Sequence, residues 1–146
     1  MNYKKLIGII IVTLVIGIGP SLFIDMGIDN LTKPALYPPA ILFPIVWTIL
    51  YVLMSISVFM ATKKDNDPYT IYFLQLLVNS SWTIIYFGLN FRLIGSIVIV
   101  ILIGLVITMM YKFYKQNKLS ALLQIPYLLW LLFATYLSFA IYLLNR

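Results

Sequence analysis

Histidine, cysteine and glutamate are absent from this chain of 146 residues, and its four acids are all aspartates: Asp25, Asp29, Asp65 and Asp67. Those absences exclude thiolate or imidazole metal sites, a disulfide framework, and Cys- or Ser–His nucleophilic machinery. Charge of either sign is scarce. Only 10% of the residues carry it, where a soluble domain carries about a quarter. Ten Lys and Arg leave a net charge of +6, but they are dispersed and form no basic cluster of the kind that tracks a phosphate backbone. Apolar side chains take up the difference, at 63% of the total. A chain with this balance is an integral membrane protein.

The few charges divide the sequence into long uncharged runs: Leu6–Ile24, Pro34–Thr62, Pro68–Phe91, Leu93–Tyr111 and Leu119–Asn145. A helix needs about 20 apolar residues to cross the hydrocarbon core, so each run accommodates one crossing and none accommodates two. Strands of a membrane barrel would alternate apolar and polar residues, and stretches such as IGIIIVTLVIGI and IVIVILIGLVI do not. The expected fold is therefore all-α, a single membrane domain over 1–146 with five transmembrane helices at about 5–24, 40–62, 68–90, 92–113 and 119–144. Lys4 and Lys5 before an apolar stretch also fit a signal peptide, but GIGPSLFI lacks a small-residue cleavage site, so the segment is read as helix 1.

Five crossings place the termini on opposite faces. Lys4, Lys5, Lys63, Lys64, Lys112, Lys115 and Lys118 fall on one face, and Lys33, Arg92 and Arg146 on the other. The excess of positive charge puts the N-terminus in the cytoplasm and the C-terminus outside. The connection Asp25–Pro39 alone is long enough to fold over something. Pro34, Pro38 and Pro39 stiffen it, and it reads either as a linker that positions helix 2 or as a lid over one mouth of the bundle.

Trp and Tyr in membrane proteins usually sit at the water interface, but the three tryptophans here lie near the middle of their runs. Trp47 is beside the midpoint of the second run, Trp130 is near that of the fifth, and Trp82 is one turn from Asn79 at the centre of the third. Helical spacing aligns Phe43, Trp47 and Tyr51 on helix 2; Gln75, Asn79, Trp82 and Tyr86 on helix 3; and Trp130, Ala134 and Ser138 on helix 5, with Leu137 adjacent. Helix 4 has no such stripe and reads as a packing and lipid-facing helix. An amide at membrane depth needs a partner, so Asn79 is expected to face the interior. Interhelical glue is the plain account of these residues. Their convergence fits a cavity walled by aromatic faces, suited to a flat hydrophobic ligand. No span holds a carboxylate or imidazole for acid–base chemistry, and no His or Cys is available to ligate haem iron, so a metal-free porphyrin or similar lipophile fits better than ligated haem.

These segments resemble the translocator protein family, also called tryptophan-rich sensory proteins (TspO/MBR, including the peripheral benzodiazepine receptor). LTKPALYPP at Leu31–Pro39 is similar to the family's K-P-x-W-x-P-P segment. FPIVWTILY at Phe43–Tyr51, LQLLVNSSWTIIYFGLN at Leu74–Asn90 and PYLLWLLFATYLSFAIYLLN at Pro126–Asn145 resemble its helices 2, 3 and 5.

The resemblance implies a five-helix bundle, often a homodimer, in a bacterial cell membrane. Its pocket would bind protoporphyrin IX-like tetrapyrroles, isoquinoline carboxamides or benzodiazepines, as ligands rather than required cofactors. Carried over by position, pocket residues fall on Trp47, Tyr51, Asn79, Trp82, Trp130, Ala134 and Leu137, beside Phe43 and Ser138, with Lys33, Pro34, Leu36, Tyr37, Pro38 and Pro39 in the lid. Leu36 replaces the family's loop tryptophan, Ser138 its helix 5 asparagine, and Phe139 and Leu143 the Tyr and Arg of the animal cholesterol motif. Cholesterol is therefore not an expected ligand. No catalytic or metal-binding residue is assigned. Light- or oxygen-dependent porphyrin breakdown and a purely structural or sensory subunit remain the alternatives.

Overall fold

A computed structural model describes residues 2–24 and 30–146. The start of the long loop, Asp25–Asp29, lies outside the described residues. The described chain is helical, without a strand: α1 (Tyr3–Ile18), a 3-10 turn (Gly19–Leu22), α2 (Leu42–Ala61), α3 (Pro68–Thr83), a π turn (Ile84–Gly88), α4 (Arg92–Gln116), α5 (Lys118–Leu122) and α6 (Ile125–Asn145).

Among the described residues, four segments are long and apolar enough to cross a membrane: Tyr3–Leu22, Leu42–Ala61, Arg92–Gln116 and Lys118–Asn145. Three of the five expected continuous helices are interrupted, the first where α1 gives way at Gly19 to the 3-10 turn. The helix expected over 68–90 keeps α geometry for 16 residues and then widens into the π turn, where the Leu89 N–H bonds to the Ile84 carbonyl at 2.9 Å. Asn90, in the left-handed region at φ 58, ends it. The helix expected over 119–144 breaks at Leu123–Gln124 into α5 and α6. Pro126 accounts for this break: it has no N–H for the carbonyl of Leu122, and it sits in the first turn of α6, where a proline is tolerated. Asn117 caps the short α5 by accepting from the Leu119 N–H at 3.0 Å.

The helices form a ring in which α1 packs on α2 and α3, α3 on α4, and α4 on α6. Lipid tails are as apolar as leucine, so contact between membrane helices depends on close approach and interhelical hydrogen bonds. Both are present. A Cβ on Gly17 would lie 2.4 Å from the Tyr51 ring, and one on Gly95 would lie 2.8 Å from Tyr86. Thr13 and Tyr72 share a hydrogen bond of 2.5 Å between α1 and α3. The Ser80 hydroxyl donates to the Ile16 carbonyl, and the Ser57 hydroxyl donates to the Ser120 carbonyl at 2.5 Å.

α4 behaves as expected of a packing helix. Gly95, Ser96, Ile99, Leu102, Val106, Met109 and Phe113 are buried, whereas Ile97, Val100, Ile101 and Ile107 face outward. The α2–α6 seam differs from the others. Here the helices meet through large aromatic side chains, and a groove of about 420 Å³ opens between them, lined by Val46, Ile49, Leu53, Leu129, Trp130 and Phe133 among others.

Candidate aromatic binding site

Trp47 is the hub of the interior. Its ring stacks on Tyr51 with centroids 5.5 Å apart, and it lies 6.2 Å from both Trp82 and Tyr127. Trp82 continues to Tyr86 at 5.9 Å. The i, i+4 stripes of α2 and α3 thus face each other, and Tyr127 of α6 closes the third side. These rings contact one another directly.

A string of buried polar groups runs beside the rings. The Tyr51 hydroxyl lies 3.1 Å from Asn79 Oδ1 and 3.2 Å from the Gly17 carbonyl. Asn79 Nδ2 donates to the Tyr127 hydroxyl at 2.8 Å, and that hydroxyl donates to Gln75 Oε1 at 2.8 Å. Asn79 and Gln75 are fully buried. Both therefore face the interior, as amides at this depth must. The string leaves several donors over. Gln75 Nε2 and the indole N–H groups of Trp82 and Trp130 are buried without a partner among the described residues.

The sequence-derived residues divide into two groups. Trp47, Tyr51, Asn79 and Trp82 come together. Trp130 stands apart from the other two indoles. It packs edge-on against Phe43 at 5.8 Å, next to Phe133 at 5.6 Å, and lines the α2–α6 groove. Ala134, Leu137 and Ser138 are buried in the α6 face, and Ser138 takes part through its carbonyl, which accepts from the Tyr86 hydroxyl at 3.0 Å.

Two contributors were absent from the sequence-derived site. Tyr127 lies between the start and the midpoint of its uncharged run and falls outside the Trp130–Ala134–Ser138 stripe. Its position one turn before Trp130 was the available signal. Gln75 stood on the recognised stripe, one turn from Asn79.

The described part of the proline loop is fastened to the bundle. The Tyr37 N–H bonds to the Pro34 carbonyl at 3.1 Å, closing a turn, and the Leu42 N–H bonds to the Pro39 carbonyl at 3.0 Å. The Tyr37 ring lies 5.5 Å from Phe43, and the Lys33 ammonium lies 5.5 Å from the Tyr37 ring. Pro38 is half-buried and Pro39 exposed. Leu36 points outward and is 68% exposed.

The chain is similar over nearly its whole length to known proteins. It is 39% identical to the tryptophan-rich protein TspO of Archaeoglobus fulgidus, with 99% of each chain covered. It is 38% identical to the tryptophan-rich protein TspO of Chlorobaculum tepidum, over 80% of this chain and 77% of that one. It is 36% identical to protein CrtK of Rhodobacter capsulatus, over 80% of this chain and 77% of that one. The profile of the TspO/MBR family matches residues 9–144. With these matches, this aromatic-cored membrane chain belongs to the TspO/MBR family.

Proposed function

We propose that this chain is a membrane receptor or carrier for porphyrins of the protoporphyrin IX type and similar flat lipophiles, held against the Trp47–Trp82–Tyr127 cluster. One observation carries the reading: the Trp82 indole N–H and the Gln75 amide, buried beside the rings of this cluster, have no acceptor among the described residues, and the Trp130 N–H on the α2–α6 groove has none either. A donor left unpaired in hydrocarbon costs several kcal/mol, so packing alone gives no reason to leave these three unpaired. A flat ligand with carbonyl, carboxylate or ring-nitrogen acceptors answers both the rings and the donors. The ligand is cargo rather than a resident cofactor, and no residue is assigned a catalytic role.

The same reading makes the chain one domain of five crossings, with α3 and its π turn as the fifth. Phe23 and Ile24 beyond α1, Phe87 and Gly88 beyond α3, and Arg92 at the start of α4 border one cleft, and Asn145 at the end of α6 bonds to the Thr32 backbone. Those ends share a membrane face, which supports crossings that alternate in direction. The positive charges on the opposite face orient the N-terminus toward the cytoplasm. The loop from Asn30 onward, pinned at this face, serves as a lid.

Titration of the purified protein in nanodiscs with protoporphyrin IX tests the reading through tryptophan fluorescence. Saturable quenching is expected, with Trp47→Ala weakening the affinity by about tenfold, the scale of one lost aromatic platform. Unsaturable quenching, identical in the variant, would overturn it.

A further inference from the structure

A second polar feature lies away from the indole cluster. Arg92 opens α4, and its guanidinium carbon sits 4.7 Å above the Tyr86 ring and 5.8 Å from that of Phe87. Stacking of this kind holds the planar fork in one orientation. Nη2 donates to Asn90 Oδ1 at 3.1 Å. Nη1 is buried and has no hydrogen-bond partner among the described residues. No carboxylate among the described residues pairs with it, because Asp65 and Asp67 lie in the α2–α3 connection, at the other end of the bundle.

The guanidinium borders a cleft of about 620 Å³, shared with Ile24, Asn30, Leu31, Gly88 and Asn90. A Cβ on Gly88 would come within 3.2 Å of the tip of the Ile24 side chain, so the two segments approach closely at the edge of the cleft. Asn90, with its φ of 58, is where the chain turns sharply from the π turn into α4, and that turn brings its amide to Arg92.

The cleft is joined to the interior through one side chain. Tyr86 lies under the guanidinium and also 5.9 Å from Trp82, which in turn lies 6.2 Å from Trp47. A fixed cation at the mouth and indole faces at depth are thus linked by one line of rings. We infer that the Arg92 cleft is the subsite for an acidic group, a carboxylate attached to the flat body that the indoles hold. The inference rests on the reading of the interior as a pocket for such a body, and it narrows the ligand class to anionic lipophiles. A carboxylate accepts two parallel N–H bonds from a guanidinium and meets both the Nη1 and the charge that no described residue answers. A neutral lipophile meets neither.

The full-length protein in zwitterionic-lipid nanodiscs is titrated with protoporphyrin IX and separately with its dimethyl ester, which keeps the ring and removes the acids. Wild type is expected to bind the diacid at least about tenfold more tightly than the ester, the scale of one charge-assisted hydrogen bond. Arg92→Gln brings that ratio close to one, and Arg92→Lys retains part of it. Equal binding of acid and ester by wild type overturns the subsite while leaving the pocket standing, and needs no variant to fold. A ratio that survives Arg92→Gln overturns it as well. If neither compound quenches saturably, the pocket reading fails and the subsite falls with it. Two further arms separate other sources of the same chemistry. If phosphatidylglycerol in the disc weakens diacid binding to wild type but not to Arg92→Gln, the cleft takes a lipid headgroup instead. If millimolar inorganic phosphate does so, it takes a free anion. Either result overturns the assignment.

Discussion

Asn145 holds Thr32 at both of its backbone groups: Oδ1 accepts from the Thr32 N–H and Nδ2 donates to the Thr32 carbonyl, each at 2.8 Å. The last residue of α6 thereby closes the same reciprocal pair that one strand makes with another, and ties the proline loop to the end of the bundle. Nδ2 also lies 2.8 Å from the Ile141 carbonyl, which fixes the side chain against its own helix.

Because this contact joins segments 113 positions apart, removing it is expected to free the loop without disturbing the helices. Asn145→Ala should speed hydrogen exchange at the Thr32 amide by about tenfold, which corresponds to one or two lost hydrogen bonds. Exchange within α2 should be unchanged. If the loop amides exchange at the wild-type rate, the latch is not what holds the loop.

Gly17 and Gly19 stand two residues apart, yet only one of them is needed for packing. An added Cβ at Gly17 meets the Tyr51 ring at 2.4 Å, whereas one at Gly19 meets nothing within 4 Å. Gly17→Ala is expected to destabilise the protein by about 1–3 kcal/mol through overpacking, read as a lower thermal midpoint in detergent. Gly19→Ala should leave the midpoint near that of wild type. Equal effects at the two positions would show that helix propensity, not contact with Tyr51, governs both.

Much of the architecture was legible because membrane physics gives individual residues unambiguous meaning. Each Lys, Arg and Asp is costly inside hydrocarbon, so their positions mark helix ends to within a few residues. Asn79 and Trp47 were placed inside by the same reasoning applied to depth and spacing. The interruptions were harder to see. A π turn such as Ile84–Gly88 requires only that a carbonyl bond one residue further along, and no residue type in IIYFG announces it. The break before α6 did have its signal in Pro126, but a long apolar run conceals such a break when only charges are counted. Contacts such as Arg92 on Tyr86 follow from that π turn and were therefore out of reach. Tyr127 illustrates a different limit: its partners Asn79 and Gln75 come from α3, and no pattern within α6 names them.

The alternating direction of the crossings is open to a direct test, because the chain contains no cysteine. Leu36, in the loop, and Lys64, between α2 and α3, are both exposed. In intact cells, a membrane-impermeant maleimide is expected to label Leu36→Cys, and to label Lys64→Cys only after permeabilisation. The opposite pattern would invert the orientation. Labelling of both from outside would mean that α2 does not cross.

Two fully buried glutamines provide the sharpest contrast in how a polar group behaves at depth. Gln75 Oε1 accepts from Tyr127, while neither amide atom of Gln124, at the break between α5 and α6, has a partner among the described residues. Methionine has nearly the same length and shape and carries no strong polar atom. At position 75 the replacement strands the Tyr127 hydroxyl, so Gln75→Met should cost about 1–3 kcal/mol. At position 124 it removes a desolvation penalty and loses no bond, so Gln124→Met should stabilise by a similar amount. Thermal unfolding of the two variants in the same detergent makes the comparison. If Gln124→Met is as destabilised as Gln75→Met, the Gln124 amide is satisfied by water at the α5–α6 break, and its retention at that depth is structural.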